Sequence, residues 1–232
     1  YLSYGTSRIE MPDQAEVDDF MGVKDVNWHV ALDPLRPMAV DPLTGGSGGN
    51  GPETFVRYRR GQCAGMKNAL HVITEMHEDW ARRFGEAHRF APLVEEYRLD
   101  DAEYAIMILG SMTGAAKDAV DEARAAGEKV GLIKIKTFSP FPVEALQHAL
   151  RGVRALGVVD RSVNFRWNCG PMFQETLGVL YRLGRQVPAQ SFIGGLAGAD
   201  LTVTTFRRVI DETRALLERA PSDEPVWLNA KD

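Results

Sequence analysis

From residue 103 onward the chain alternates short apolar runs with amphipathic stretches, and this alternation limits the fold more than any other feature. Residues 104–109 form a buried-strand run closed by Gly110 and Ser111. A helix follows over 115–126, with Ala116, Ala119, Val120 and Ala123 inward and Gly127 as its stop. Residues 130–135 are the next strand. Pro142 opens a short helix carrying Val143, Leu146 and Leu150, because proline suits a first turn that needs no N–H. Residues 155–159 form a third strand, ending at Asp160 and Arg161. Pro171 opens a helix whose inward set is read as Phe173, Leu177, Leu180 and Tyr181. Residues 190–193 are a fourth strand, followed by Gly194 and Gly195. Thr202 caps a last helix with Phe206, Val209, Ile210, Thr213 and Leu217 inward. Four strand–helix pairs in succession predict an α/β fold, a parallel sheet with helices on both faces. Right-handed crossovers are expected between the strands. The tail adds an apolar plug, Val226, Trp227 and Leu228; a buried Trp227 would make its truncation to alanine cost about 3–5 kcal/mol.

Residues 1–61 read differently. Pro34, Pro37 and Pro42 each pull the preceding residue away from helix. The run 43–52 holds five glycines and reads as a flexible loop. A phosphate cradle is the sharper alternative, disfavoured because no strand precedes the run and no Gly-Lys-Ser/Thr closes it before a helix. A helix then spans 66–84, where Met66, Ala69, Leu70, Ile73, Met76, Trp80 and Phe84 make one apolar stripe ended by Gly85. The expected boundary between arm and domain therefore lies at 61/62.

Composition narrows the classes of function. A net charge of −5 disfavours nucleic-acid binding through a global basic field. No apolar run approaches the ~20 residues of a bilayer span. Two cysteines, Cys63 and Cys169, are too few for a disulfide scaffold or a cysteine-ligated cluster, so the expectation is a cytoplasmic protein. The chain starts at Tyr1 rather than Met, and the expectation is that part of a larger subunit lies upstream.

In an open parallel sheet, ligands bind outside the carboxyl ends of the strands. That rule selects Gly110, Ser111 and Met112, then Ser139, then Asp160 and Arg161, then Gly195, as cleft or interface candidates. Ser111 is read as an N-cap, with an anion cradle at 110–114 as the sharper alternative. Asp160 and Arg161 are read as a local ion pair, structural or interfacial, with a charged ligand as the alternative. His71 and Glu75 stand four apart and share a helix face, but no His-Glu-x-x-His pattern or other ligand set marks a metal site. Cys169 precedes a helix and is read as packing rather than as a nucleophile. Arg57, Arg59 and Arg60 flank Tyr58 as an exposed strip.

These residues match a known family in order. The chain resembles the alpha subunit, in its carboxyl-terminal part, of 2-oxoacid:ferredoxin oxidoreductases of the pyruvate synthase type. The opening YLSYGTSRIEMPDQAEVDDFM is similar to that family's extended Leu-Ser-His stretch and Pro-Asp-Gln element, and ALDPLRPMAV at 31–40 to its connecting arm. The block 93–146 is the most specific, with Gly110, Ser111 and Met112 followed by Pro140, Phe141 and Pro142. VVDRS at 158–162 and GGLAGADLT at 194–202 follow in the family's order. Three departures stand out: Tyr4 where the family has histidine, Ser139 where it has arginine, and Ala199 where it has the arginine of Gly-Gly-Arg-Asp.

The resemblance implies a transketolase C-terminal-like α/β domain over 62–232. It also implies that 1–61 is the tail of an upstream pyrimidine-binding domain and its connecting arm. The family oxidatively decarboxylates a 2-oxoacid on thiamine diphosphate, passes the acyl group to coenzyme A, and sends electrons through iron–sulfur clusters to ferredoxin. The complete enzyme thus holds thiamine diphosphate, Mg and clusters, and this chain alone is expected to hold none of them and no catalytic residue. Its expected partners are the other subunits in an oligomeric complex, without nucleic acid or membrane. Pyruvate is the default substrate, with aromatic, branched and dicarboxylic 2-oxoacids open. Two alternatives stand beside this reading: a free-standing domain binding a small anion at 110–114, and a purely structural oligomerisation module.

Overall fold

A computed structural model describes residues 11–22 and 51–230. Tyr4, the arm at 31–40 and the glycine run at 43–50 lie outside the described residues. The described residues divide into two units, one of 11–22 with 51–88 and one of 89–230.

The smaller unit is helical. Helix α1, Gln14–Met21, begins at a capping box in which the Asp13 side chain accepts from the Glu16 N–H and the Glu16 side chain accepts from the Asp13 N–H. Helix α2 is Gly51–Phe84, so it starts well before the expected Met66 and runs through the expected 61/62 boundary. Its first turns carry few buried side chains, and this is why the apolar stripe marks only its second half. Near its end Trp80 packs on Phe84 with centroids 4.2 Å apart, Phe20 of α1 stands edge-on to Trp80 at 5.2 Å, and Arg83 pairs with Asp19 at 2.7 Å.

The larger unit is built on a six-stranded sheet: β1 Val94–Tyr97, β2 Tyr104–Leu109, β3 Val130–Ile135, β4 Ala155–Asp160, β5 Ala189–Ile193 and β6 Val226–Trp227. The order is β1-β3-β2-β4-β5-β6. All neighbouring pairs are parallel except β1, which runs antiparallel along β3. The helices are α3 Thr113–Ala125, α4 Val143–Ala149, α5 Pro171–Arg182 and α6 Val203–Ala215. Each strand of the parallel core is buried on both sides, which explains continuous runs such as 104–109 and 155–160 rather than alternation.

Two hydrophobic layers sandwich the sheet. One joins Ala116, Ala119, Val120 and Ala123 of α3 with Phe206, Val209 and Ile210 of α6, over Tyr104, Ile106, Ile108 and Leu132. The other joins Leu146, Ala149 and Leu150 with Met172, Val179 and Leu180, over Ala105, Met107 and Ile133. The expected inward sets of α3, α4 and α6 are therefore observed, apart from a partly exposed Leu217 and Val143. For α5 the stripe is shifted: Met172, Thr176, Val179 and Leu180 point inward, while Leu177 is 40% and Tyr181 90% exposed. The connection from β3 to β4 and that from β4 to β5 both move the same way across the sheet, with α4 and α5 on one face. The connection from β5 to β6 moves the same way again, yet α6 lies on the opposite face with α3. It therefore has the opposite hand, against the expectation of uniform right-handed crossovers, and a return over 216–225 accommodates it.

The tail is part of the sheet. Val226 pairs with Phe192 and Trp227 with Ile193. Trp227 nevertheless faces out at 44% exposure, and Leu228 is the side chain that enters the core. The condition for a costly Trp227 truncation, a buried indole, is not met: successive strand residues alternate sides, and the inward sides here go to its neighbours. The Gln190 amide donates to the Glu224 carbonyl at 3.0 Å and its oxygen accepts from the Ser222 N–H at 2.8 Å, holding the approach to β6.

Candidate functional site

Among the parallel strands the spatial order β3-β2-β4-β5-β6 reverses direction between β2 and β4. The loops leaving the carboxyl ends of β2 and β4 part there, to α3 on one face and α5 on the other. That is the place where open sheets of this kind offer a crevice. The fold brings Gly110, Ser111, Met112, Ser139, Asp160, Arg161 and Gly195 to this one end of the sheet.

At the end of β2, Gly110 takes φ +94°, a conformation that favours glycine. Its carbonyl accepts from the Thr113 hydroxyl at 2.6 Å. Ser111 is exposed and is not the N-cap; Met112 occupies that position without any side-chain cap. The correction has a local cause: the residue whose hydroxyl ties down the turn is Thr113, inside the helix. Met112 is partly buried against the α3 layer. Ser139 is exposed and precedes Pro140 through a cis peptide bond.

At the end of β4, Asp160 and Arg161 part company. Asp160 is only 6% exposed, and its two carboxylate oxygens accept from the N–H groups of Met172 at 2.9 Å and Phe173 at 3.0 Å. It thus caps α5, whose own N-cap, Gly170, has no side chain to do so. A Cβ at Gly170 would overlap the Asp160 carboxylate, so glycine is required for the approach. Burial pushes the Asp160 pKa up to about 6, against the opposing pull of the two N–H donors. Arg161 points the other way, donating to the Gly195 carbonyl at 3.3 Å from Nη2, and is otherwise exposed. The expected ion pair between the two is not formed, because adjacent residues at a strand end face opposite sides.

At the end of β5, Gly195 adopts φ +73° and its N–H donates to the Asn229 side chain at 2.7 Å. Asn229 in turn donates to the Asp200 carbonyl at 3.1 Å, so the tail braces this rim. Sequence reasoning missed Asn229, Gly170 and Ser191, whose hydroxyl accepts from the Gly170 N–H at 3.2 Å. It also missed the loop tip between β4 and α5, where Phe165 is 87% and Trp167 66% exposed above a bridge between Asn164 and Cys169. Their aromatic-polar alternation in NFRWN was the available signal.

The other flagged groups are inert or apart. Cys169 is buried, and burial and the Asp160 charge push its thiol pKa up, away from a nucleophilic thiolate. Cys63 is exposed on α2 in the smaller unit. His71 meets Glu75 at 3.1 Å on the exposed side of α2. Among the described residues no group of three His, Cys, Asp or Glu side chains could hold a metal ion, and no helix is long and apolar enough to cross a membrane. Two cysteines so placed do not fit an iron–sulfur cluster, nor does the carboxyl-end rim supply a metal-ligand set for a magnesium diphosphate. The hydrogen bonds at the rim hold its loops and the start of α5 in register.

Known proteins agree in sequence. The family model described as pyruvate:ferredoxin oxidoreductase core domain II matches residues 102–206. The alpha subunit of an NADH-dependent phenylglyoxylate dehydrogenase from Aromatoleum evansii is 76% identical over 100% of this chain and 55% of its own length. The chain belongs to the alpha-subunit family of the 2-oxoacid:ferredoxin oxidoreductases. A pyruvate synthase subunit PorA from Methanosarcina barkeri is 32% identical over 87% of this chain and 50% of its own. This chain therefore spans about half the length of the curated relatives it matches. A 2-oxoglutarate:ferredoxin oxidoreductase from Magnetococcus marinus superposes on 60% of this chain and 23% of its own, at 21% identity and a TM-score of 0.40.

Proposed function

We propose that this chain is the docking and scaffolding part of a thiamine diphosphate-dependent oxidoreductase that decarboxylates an aromatic 2-oxoacid of the phenylglyoxylate kind. The observation that carries this is the 76% identity over the whole chain to a phenylglyoxylate dehydrogenase subunit, against 27–32% for the pyruvate synthase subunits. Pyruvate, the default on resemblance alone, becomes the second reading. The name of that relative favours a nicotinamide nucleotide as electron partner of the complex, with ferredoxin as the partner of the more distant members.

In this reading thiamine diphosphate, Mg and the clusters sit on other parts of a cytoplasmic complex, whose acyl product passes to coenzyme A. Residues 1–61 continue a pyrimidine-binding domain and its arm, and the α/β unit is the transketolase C-terminal-like domain. The candidates Tyr4, Gly110, Ser111, Met112, Ser139, Asp160, Arg161 and Gly195 form or face an interface rather than a reaction centre. Three features support this. Asp160 is spent as a helix cap, Arg161 leans on a glycine carbonyl, and Phe165 and Trp167 stand in solvent beside them as docking residues do.

Calorimetry tests the division of labour. The isolated chain should show no heat of thiamine diphosphate binding and no 2-oxoacid oxidation, and the complex reconstituted with its other subunits should show both. Stoichiometric cofactor binding by the isolated chain would overturn the assignment.

A further inference from the structure

A second feature lies at the β1 edge of the sheet. Glu95 of β1 receives Lys117 of α3 on one oxygen and Lys134 of β3 at 3.8 Å on the other. Lys136, two residues further along, is exposed and acts electrostatically on both Glu95 and Lys134. Two ammonium groups thus share one carboxylate, and a third lies close enough to act on it. Asp121, one turn on from Lys117, is already held by the Tyr97 hydroxyl at 2.6 Å and by Arg98 at 3.1 Å. Two of the lysines lie over aromatic rings, Lys117 over Tyr97 at 4.9 Å and Lys136 over Phe90 at 5.7 Å, and Phe90 itself is 51% exposed.

Like charges held this close and partly out of water repel, and the surplus is not neutralised within the cluster. Burial and the adjacent Lys136 push the Lys134 pKa down, and the lysines together hold Glu95 below the usual carboxylate range despite its burial. The chain as a whole is negative, at −5, so this local excess of positive charge runs against its general field. A sheet edge pairing cations with exposed aromatic surface suits an extended acidic stretch of a protein better than an enclosed small molecule.

We propose that Lys117, Lys134 and Lys136, with Phe90, form the docking surface for an acidic segment of another subunit of the complex. This rests on the reading of the chain as a subunit. The experiment uses acetic-anhydride labelling of lysines in the isolated chain and in the assembled complex, with carbodiimide cross-linking of the complex. Lys136 should label at least fivefold more slowly in the complex. Carbodiimide, which joins amines to carboxylates in contact, should link Lys136 or Lys117 to an Asp or Glu of another subunit. Lys136→Glu, at an exposed position, should leave the isolated chain folded with a cooperative melt, and lower the salt concentration at which the complex dissociates. If the complex assembles while Lys136 labels as fast as in the free chain, the docking surface is wrong and the subunit reading stands. If no complex forms, both are wrong. If millimolar pyrophosphate protects Lys136 in the isolated chain as fully as the complex does, the lysines serve a small anion and the proposal is overturned.

Discussion

Asp160 shows how one residue's role depends on what lies out of reach of its local sequence. Its position at the end of a buried strand was legible, and so was its place at the sheet's carboxyl end. Its partners were not, because the N–H groups it caps sit more than ten residues later and reach it only after the loop has closed. Burial raises its folded pKa to about 6 from a reference of 3.8. The folded state then binds more protons than the unfolded state between about pH 4 and 6. The contribution is fully present below pH ~4 and is lost as pH rises through ~6, by as much as about 3 kcal/mol. Asp160→Asn removes this titration. The stability difference between wild type and variant, from urea melts at pH 4 and pH 7, should move against the wild type as pH rises; a constant difference would contradict the burial-driven shift. Gly170→Ala should cost about 1–3 kcal/mol at either pH, since the added methyl displaces the same carboxylate, and an unchanged urea midpoint would show that the cap tolerates it.

At the scale of elements, β2 to β5 and helices α3, α4 and α6 were readable because buried parallel strands and amphipathic helices leave periodic signals. Strand β1 was not: Val94, Glu95, Glu96 and Tyr97 carry two charges, as an edge strand does. Helix α1 left its capping box, Asp13 and Glu16, in plain sight, but its short length and lack of buried residues gave no stripe. Helix α5 misled because two apolar residues, Leu177 and Tyr181, share a face that the other described residues leave exposed. The tail gives the sharpest test. Leu228→Ala should cost about 2 kcal/mol or more, and Trp227→Ala under about 1 kcal/mol, by thermal or urea melting. The reverse order would mean that the indole, not the leucine, anchors β6.

At the scale of the whole molecule, the strand order is what gathers the candidate residues. Sequence alternation predicts strands and helices but not which strands adjoin, because sheet order is set by long-range packing. The same limit explains why the carboxyl-end residues were identified as a group while their division into cap, brace and exposed rim was not. The proposal that this chain serves a complex acting on an aromatic 2-oxoacid is therefore tested on the assembly rather than on the chain alone. The most direct measurement is kcat/KM of the reconstituted complex for phenylglyoxylate and for pyruvate, with coenzyme A and with NAD+ or ferredoxin as acceptor. The account predicts at least a tenfold preference for phenylglyoxylate; equal or greater turnover of pyruvate would contradict it.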